Sequence, residues 1–159
     1  MIVAPLTLDP CDGAASIWEQ PPLLLGGLCL DSARSALSPF ISSETGWDAY
    51  HRVECQLGED ENHITFGGWR CEFIATFQNG GLATLHWRLW PPKGKYWPAG
   101  QETNDDQMWV LRRTLQIQLS RPFDARFEHF DWGMVGCLPD LHTNDPNVQV
   151  RYRTADETG

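Results

Sequence analysis

Two alternating runs face each other across Asn79-Gly80-Gly81, and no other stretch restricts the fold of this chain so tightly. They read WRCEFIATF at 69–77 and LATLHWRLW at 82–90. Alternation is the period of a β-strand, and Asn-Gly is hairpin-turn chemistry. A two-residue Asn79-Gly80 loop pairs Phe77 with Leu82, then sets Phe73 against His86 and Cys71 against Arg88, which mixes the faces. A three-residue loop with a bulge glycine instead pairs Phe77 with Ala83, Ala75 with Leu85, Phe73 with Trp87 and Cys71 with Leu89. The other face then matches Thr76 with Thr84 and Glu72 with Arg88, both favourable cross-strand partners. A slip of one residue would turn every side chain to the wrong face, so the three-residue loop is expected.

The remaining punctuation fills in a sheet with two helices. Asp31 stands where a helix cap would, and Ala33, Ala36, Leu37 and Phe40 follow at helical spacing. Residues 49–57 alternate as a strand, and GEDEN at 58–62 is an acidic turn. Residues 91–103 form a proline-rich loop that holds both lysines, Lys93 and Lys95, beside Tyr96 and Trp97. Residues 104–120 fit either a strand or a helix. Asp105 and Asp106 at the start and Arg121-Pro122 beyond the end are helix punctuation and favour the helix. Residues 125–138 read as one strand, in which Gly133 and Gly136 point to a bulge or the close approach of another backbone. After a turn at 140–147, Val148, Val150 and Tyr152 face inward, with Gln149, Arg151 and Arg153 outward. The expected fold class is α+β: a single domain over 1–159, mainly an antiparallel sheet of five or six strands with two helices. Residues 1–30 are expected as an irregular arm or short strand, and 154–159 as a frayed tail.

Charge narrows the function. The chain of 159 residues carries 21 acids against 12 bases, a net charge of −9. Residues 1–62 hold ten acids and two bases, and the remainder is close to neutral. Such a balance disfavours nucleic acid and anionic lipid as partners, because both repel it. The excess charge either keeps the chain dispersed or meets a basic partner. Cys11, Cys29, Cys55, Cys71 and Cys137 are scattered and form no CxxC pair, which suits reduced buried thiols in the cytoplasm. The N-terminus has no basic region ahead of an apolar run, so it does not read as a signal peptide, and no run is long enough to cross a bilayer.

Catalytic motifs are missing. No G-x-S-x-G elbow occurs, and His51, His63, His86, His129 and His142 never fall at the i, i+4 spacing of a helical zinc pair. Gly67-Gly68 and Gly80-Gly81 lack what a phosphate loop requires after them. The loop from Asp140 to Asp145 offers metal-ligand atoms, yet Asp and Asn are also what turns need for their own backbone bonds. No catalytic residue, metal or cofactor is therefore assigned. The acids Glu44, Asp48, Glu54, Glu59, Asp60 and Glu61 form either a solvated turn face or a negative patch that steers a basic protein into place. Tyr96 and Trp97 either reach out to a partner or fold back on the edge of the sheet.

From Trp109 to Arg153 the order is an amphipathic segment ending LSRPF, then FDWGMV, then Asp140, then a strand finishing VQVRYR. This block resembles the C-terminal half of small bacterial immunity proteins, the cognate partners of secreted antibacterial toxins that include those of type VI systems. The resemblance implies a non-enzymatic inhibitor that occludes the active cleft of a toxin, and it carries over no catalytic residue. The net acidity would suit a basic toxin such as a nuclease. The rival expectation is an enzyme or small-ligand binder with a pocket against the sheet, lined by His51, His86 and Arg88.

Overall fold

A computed structural model describes residues 2–13, 15–17, 22–23, 30–55, 62–89, 104–123, 126–140 and 144–153. Among these, eleven strands and two helices follow the order β1 (Val3–Leu8), β2 (Ala15–Ile17), β3 (Pro22–Leu23), α1 (Leu30–Leu37), β4 (Ser43–Trp47), β5 (Tyr50–Cys55), β6 (His63–Phe66), β7 (Trp69–Gln78), β8 (Gly81–Leu89), α2 (Asn104–Leu119), β9 (Phe127–Phe130), β10 (Gly133–Pro139) and β11 (Pro146–Tyr152). The class remains α+β, but five or six strands is an undercount. The deficit has four sources. Residues 1–30 contain three strands, of which β1 runs parallel to β6 and buries Ala4, Leu6 and Leu8. Residues 43–47 form β4, residues 63–66 form β6, and the single strand expected over 125–138 is a hairpin.

That hairpin turns at Asp131-Trp132, since Phe130 pairs with Gly133 and His129 with Met134. The Trp-Gly pair is thus a turn rather than the middle of a strand. The turn closes on the N-terminal segment. Trp132 Nε1 donates to the Pro10 carbonyl at 3.0 Å, and the Tyr152 hydroxyl donates to the Gly13 carbonyl at 2.9 Å. Gly13 has φ +73, and a side chain there would strike the Trp132 ring.

The central hairpin keeps the expected register over most of its length. Cys71–Leu89, Glu72–Arg88, Phe73–Trp87, Ala75–Leu85 and Thr76–Thr84 are paired as anticipated. The loop differs. Phe77 pairs with Leu82 and Gln78 with Gly81, so the turn is the two-residue Asn79-Gly80, with φ of 51 and 83. Both residues are left-handed, as the tight hairpin turn requires. A bulge at Ala83 then shifts the register by one residue and restores the sorted faces.

Strand β7 is the branch point of the sheet. One edge pairs with β8 along its length, while the other is shared by β6 at its start and β5 over the rest. Strand β8 continues into β11, β10 and β9. Both helices lie on the apolar face. Leu111, Leu115 and Leu119 of α2, and Ala33 and Leu37 of α1, join one core with Phe73, Phe77, Trp87, Val148 and Val150. Trp87 is fully buried against Phe66 and Phe73, at ring separations of 5.1 and 6.2 Å. The Gln118 amide fastens α2 to β1, accepting from Leu8 N–H and donating to the Leu6 carbonyl. Among the described residues, no helix is long and apolar enough to cross a membrane.

Three of the cysteines, Cys55, Cys71 and Cys137, are buried, and burial raises all three thiols, Cys55 and Cys137 to about 12. They are core side chains and stay protonated. Cys11 is exposed, unlike the expectation for it, and Cys29 lies outside the described residues.

Gly133 tests the close approach of strands at the C-terminal hairpin. A methyl group there would collide with the Arg151 carbonyl, whereas at Gly68 it meets nothing and only the left-handed φ of +86 resists. In urea denaturation, Gly133→Ala should cost on the order of 3 kcal/mol or more, and Gly68→Ala about 1 kcal/mol. Equal costs would show that β10 and β11 do not approach this closely.

Candidate functional site

Two surfaces carry chemistry. The first is the β4–β5 hairpin. All five residues of β4 are exposed, and among the described residues it pairs with β5 alone. At the tip, Asp48 adopts φ 48 and brings Trp47 and Tyr50 together as a stacked pair with ring centroids 6.0 Å apart. Both are open to solvent, at 47% and 41%. Asp48 is also one of the expected acids and is exposed.

The other acids of this hairpin are paired. Glu44 accepts from Arg34 Nε at 2.8 Å and lies 3.7 Å from His51 Nε2. The Arg34 hydrogen bond pulls the Glu44 carboxyl below its ordinary 4.5. Glu54 accepts from the Ser43 hydroxyl, and Arg52 Nε approaches it to 2.8 Å. Of the six expected acids, the hairpin thus gathers Glu44, Asp48 and Glu54, two of them against arginines. Glu59, Asp60, Glu61, Tyr96 and Trp97 lie outside the described residues.

The second surface is the face of the sheet opposite the helices. Strand pairing aligns side chains in rows across it. One row runs Arg52, Thr76, Thr84, Arg151 and Met134 over β5, β7, β8, β11 and β10. The next runs Glu54, Ile74, His86, Gln149 and Gly136 over the same strands. At Gly136 a Cβ would come within 2.6 Å of the Phe127 ring, so the glycine lets that ring lie across β10. All of these except Glu54 and Gly136 line a cleft of about 620 Å³, bordered also by Asp140. Ligand pockets span roughly 300–1,000 Å³.

A polar ladder braces one end. Arg88 bridges buried Glu72 at 3.0 Å and Asp145 at 2.8 Å. Fully buried Asn147 donates to the Asp145 carbonyl and accepts from the Gln149 amide. His86 also hydrogen-bonds Asn147, but burial outweighs that bond and holds the imidazole below its ordinary 6.5. Of the three side chains expected to converge on a pocket, only His86 lines this cleft. Arg88 is committed to the ladder, and His51 turns to Glu44 and Arg34. Arg52 and Arg151 were missed; their signal was the alternation that places each on the same face as the threonines.

A third exposed feature lies on the outer side of α2, where Trp109 and Ile117 are 62% and 68% exposed and Arg113 sits 5.4 Å over the Trp109 ring. Among the described residues no group of three or more His, Cys, Asp or Glu is placed to hold a metal.

No protein-family model matches the chain, and no curated protein matches it. A solved structure described as "Rhs1-CT in complex with cognate immunity protein RhsI1" contains a chain of similar fold. The TM-score is 0.52 at 15% sequence identity, covering 96% of this chain and 92% of that one.

The depressed His86 has a thermodynamic consequence. The unfolded chain takes up the proton at a higher pH than the folded one, so stability should decline as pH drops below about 6.5. Urea midpoints between pH 7.5 and 5.5 should fall more steeply for the native chain than for His86→Gln. Parallel slopes would mean that His86 is freely solvated.

Proposed function

We propose that this chain is a non-enzymatic, protein-binding inhibitor of the immunity type, which seats its β4–β5 hairpin on a partner and occludes it. The observation that carries this reading is the hairpin itself. An exposed edge strand invites pairing with another chain and is usually blunted or covered. Here its tip holds a stacked tryptophan and tyrosine, side chains that supply much of the binding energy in protein interfaces. The likeness to a chain from a toxin–immunity complex supports a protein partner, and the block from Trp109 to Arg153 points the same way.

The proposed partner is a basic toxin domain met in the cytoplasm. Asp48 beside the aromatic pair, with Glu44, Glu54 and the acids Glu59, Asp60 and Glu61, would steer it electrostatically. Tyr96 and Trp97 would add contact area. Glu44 and Glu54 contribute less, because Arg34 and Arg52 already offset their charge.

Co-expression with the C-terminal domain of the adjoining reading frame tests the proposal. Cells poisoned by that domain should recover when this chain is present. The double variant Trp47→Ala, Tyr50→Ala should bind at least about thirtyfold more weakly, the loss expected of a central aromatic anchor. Reversing Glu59, Asp60 and Glu61 to lysine should slow association and weaken its salt dependence without moving the urea midpoint. Unaltered affinity in the aromatic variant would remove the hairpin from the interface, and unaltered association in the triple variant would remove the acids.

A further inference from the structure

We propose that the cleft on the polar face of the sheet is a binding site for a small amphiphilic anion. Its oxyanion head would sit between Arg52 and Arg151 over Thr76 and Thr84, with its apolar body against Met134 and Phe127.

The row that runs straight across four strands carries this inference. Arg52 pairs with Thr76, Thr76 with Thr84, and Thr84 with Arg151. Adjacent strands lie about 4.8 Å apart, so the two arginine backbones flank the threonines at a separation on the order of 14 Å. Both long side chains line the same cleft. Guanidinium forks match carboxylate and phosphate oxygens, and threonine hydroxyls supply further donors between them.

In a chain of net charge −9, carboxylates take up Arg34, Arg52, Arg88 and Arg121. Arg151 is exposed in the cleft and has no carboxylate partner among the described residues. Arg52 Nε lies 2.8 Å from Glu54, so a bound anion would share this guanidinium with that carboxylate. His86 stands in the neighbouring row beside Gln149, and both offer hydrogen-bonding groups.

The other end of the cleft is apolar by construction. Met134 continues the arginine–threonine row, and Gly136 makes room for the Phe127 ring. An anionic head and an apolar body therefore find separate halves of one cavity. Its volume of about 620 Å³ suits a small molecule. A nucleic acid is disfavoured, since Asp140 borders the cleft and the whole chain repels a polyanion. The inference is independent of the protein-binding reading, because it involves neither Trp47 nor Tyr50.

Isothermal titration of the full chain tests it, with phenyl phosphate, phenylacetate and benzyl alcohol as probes. At least one anion should bind with one-to-one stoichiometry, and the tighter of the two identifies the head group as phosphate or carboxylate. Benzyl alcohol should bind at least about tenfold more weakly, since it lacks the charge-assisted hydrogen bonds. Arg151→Gln should weaken the anion about tenfold, Thr84→Val should weaken it less, and Arg113→Gln on α2 should leave it unchanged. Amide shift changes on titration should centre on Arg52, Thr84 and Gln149, a readout that needs no variant to fold. Absence of one-to-one binding by either anion would overturn the proposal. So would equal binding of benzyl alcohol, an unchanged affinity in Arg151→Gln, or shifts centred elsewhere.

Discussion

Everything on this molecule is placed by the register between β7 and β8. Setting Phe73 opposite Trp87 and Ala75 opposite Leu85 gives one face to the core. The same register sets Thr76 beside Thr84 and Ile74 beside His86 on the other. Strand β11 then extends both sets, carrying Val148 and Val150 inward and Gln149 and Arg151 outward. A slip by one residue would turn β8 over, burying His86 and Arg88 and exposing Leu85 and Trp87, so the core and the cleft are fixed by one alignment. The tight Asn79-Gly80 turn alone would enforce the wrong alignment. The bulge at Ala83 reconciles a turn that the backbone prefers with a register that the side chains demand.

This explains which parts of the fold were legible in the sequence. Where alternation was strong and both partners were close in the chain, as in β7–β8 and β10–β11, pairing followed from the residues. The helix over Asn104–Leu119 was ambiguous by period and was decided by its acidic start, which the structure bears out. Strand β1 was left open between an irregular arm and a short strand because Pro5 interrupts the apolar pattern. That proline occupies an exposed position, while Ala4, Leu6 and Leu8 point into the core. Its partner β6 lies some sixty residues away, and no local signal announces a parallel pairing of that kind. The β9–β10 turn was hidden because Asp131-Trp132 is not common turn chemistry. Trp132 is held there by Pro10 and Gly13, residues far from it in the chain.

The cleft was harder to foresee than the core. His86 was legible as a polar strand residue, but Arg88 and His51 were expected beside it and are not there. Arg88 lies on the same face, yet buried Glu72 and Asp145 claim its guanidinium. An arginine can bridge two carboxylates, and leaving Glu72 buried without it would cost several kilocalories. Arg52 and Arg151 come together only because two strands lie between residues that are ninety-nine positions apart in the chain, a proximity that pairing across β5, β7, β8 and β11 creates. The acids behave in the opposite way. They cluster in sequence, yet Glu44 and Glu54 face arginines, so the local field of the hairpin is weaker than a count of carboxylates implies.

The branch at β7 also sets how firmly each part is held. Strand β5 occupies most of one edge of β7, and β4 hangs from β5 with no buried residue of its own. Of β5 itself, Val53 and Cys55 enter the core, while the tip at Trp47 and Tyr50 lies beyond it. An element with so little burial opens at a lower free-energy cost than the central strands. Local openness of that sort suits a segment that must adjust to a partner's surface. The rows of the cleft are different, because β7, β8 and β11 are pinned from behind by Trp87, Leu85 and Val150. Adaptable contact at the hairpin and a preorganised site on the sheet therefore arise from the same topology, by distance from the buried ladder that both depend on.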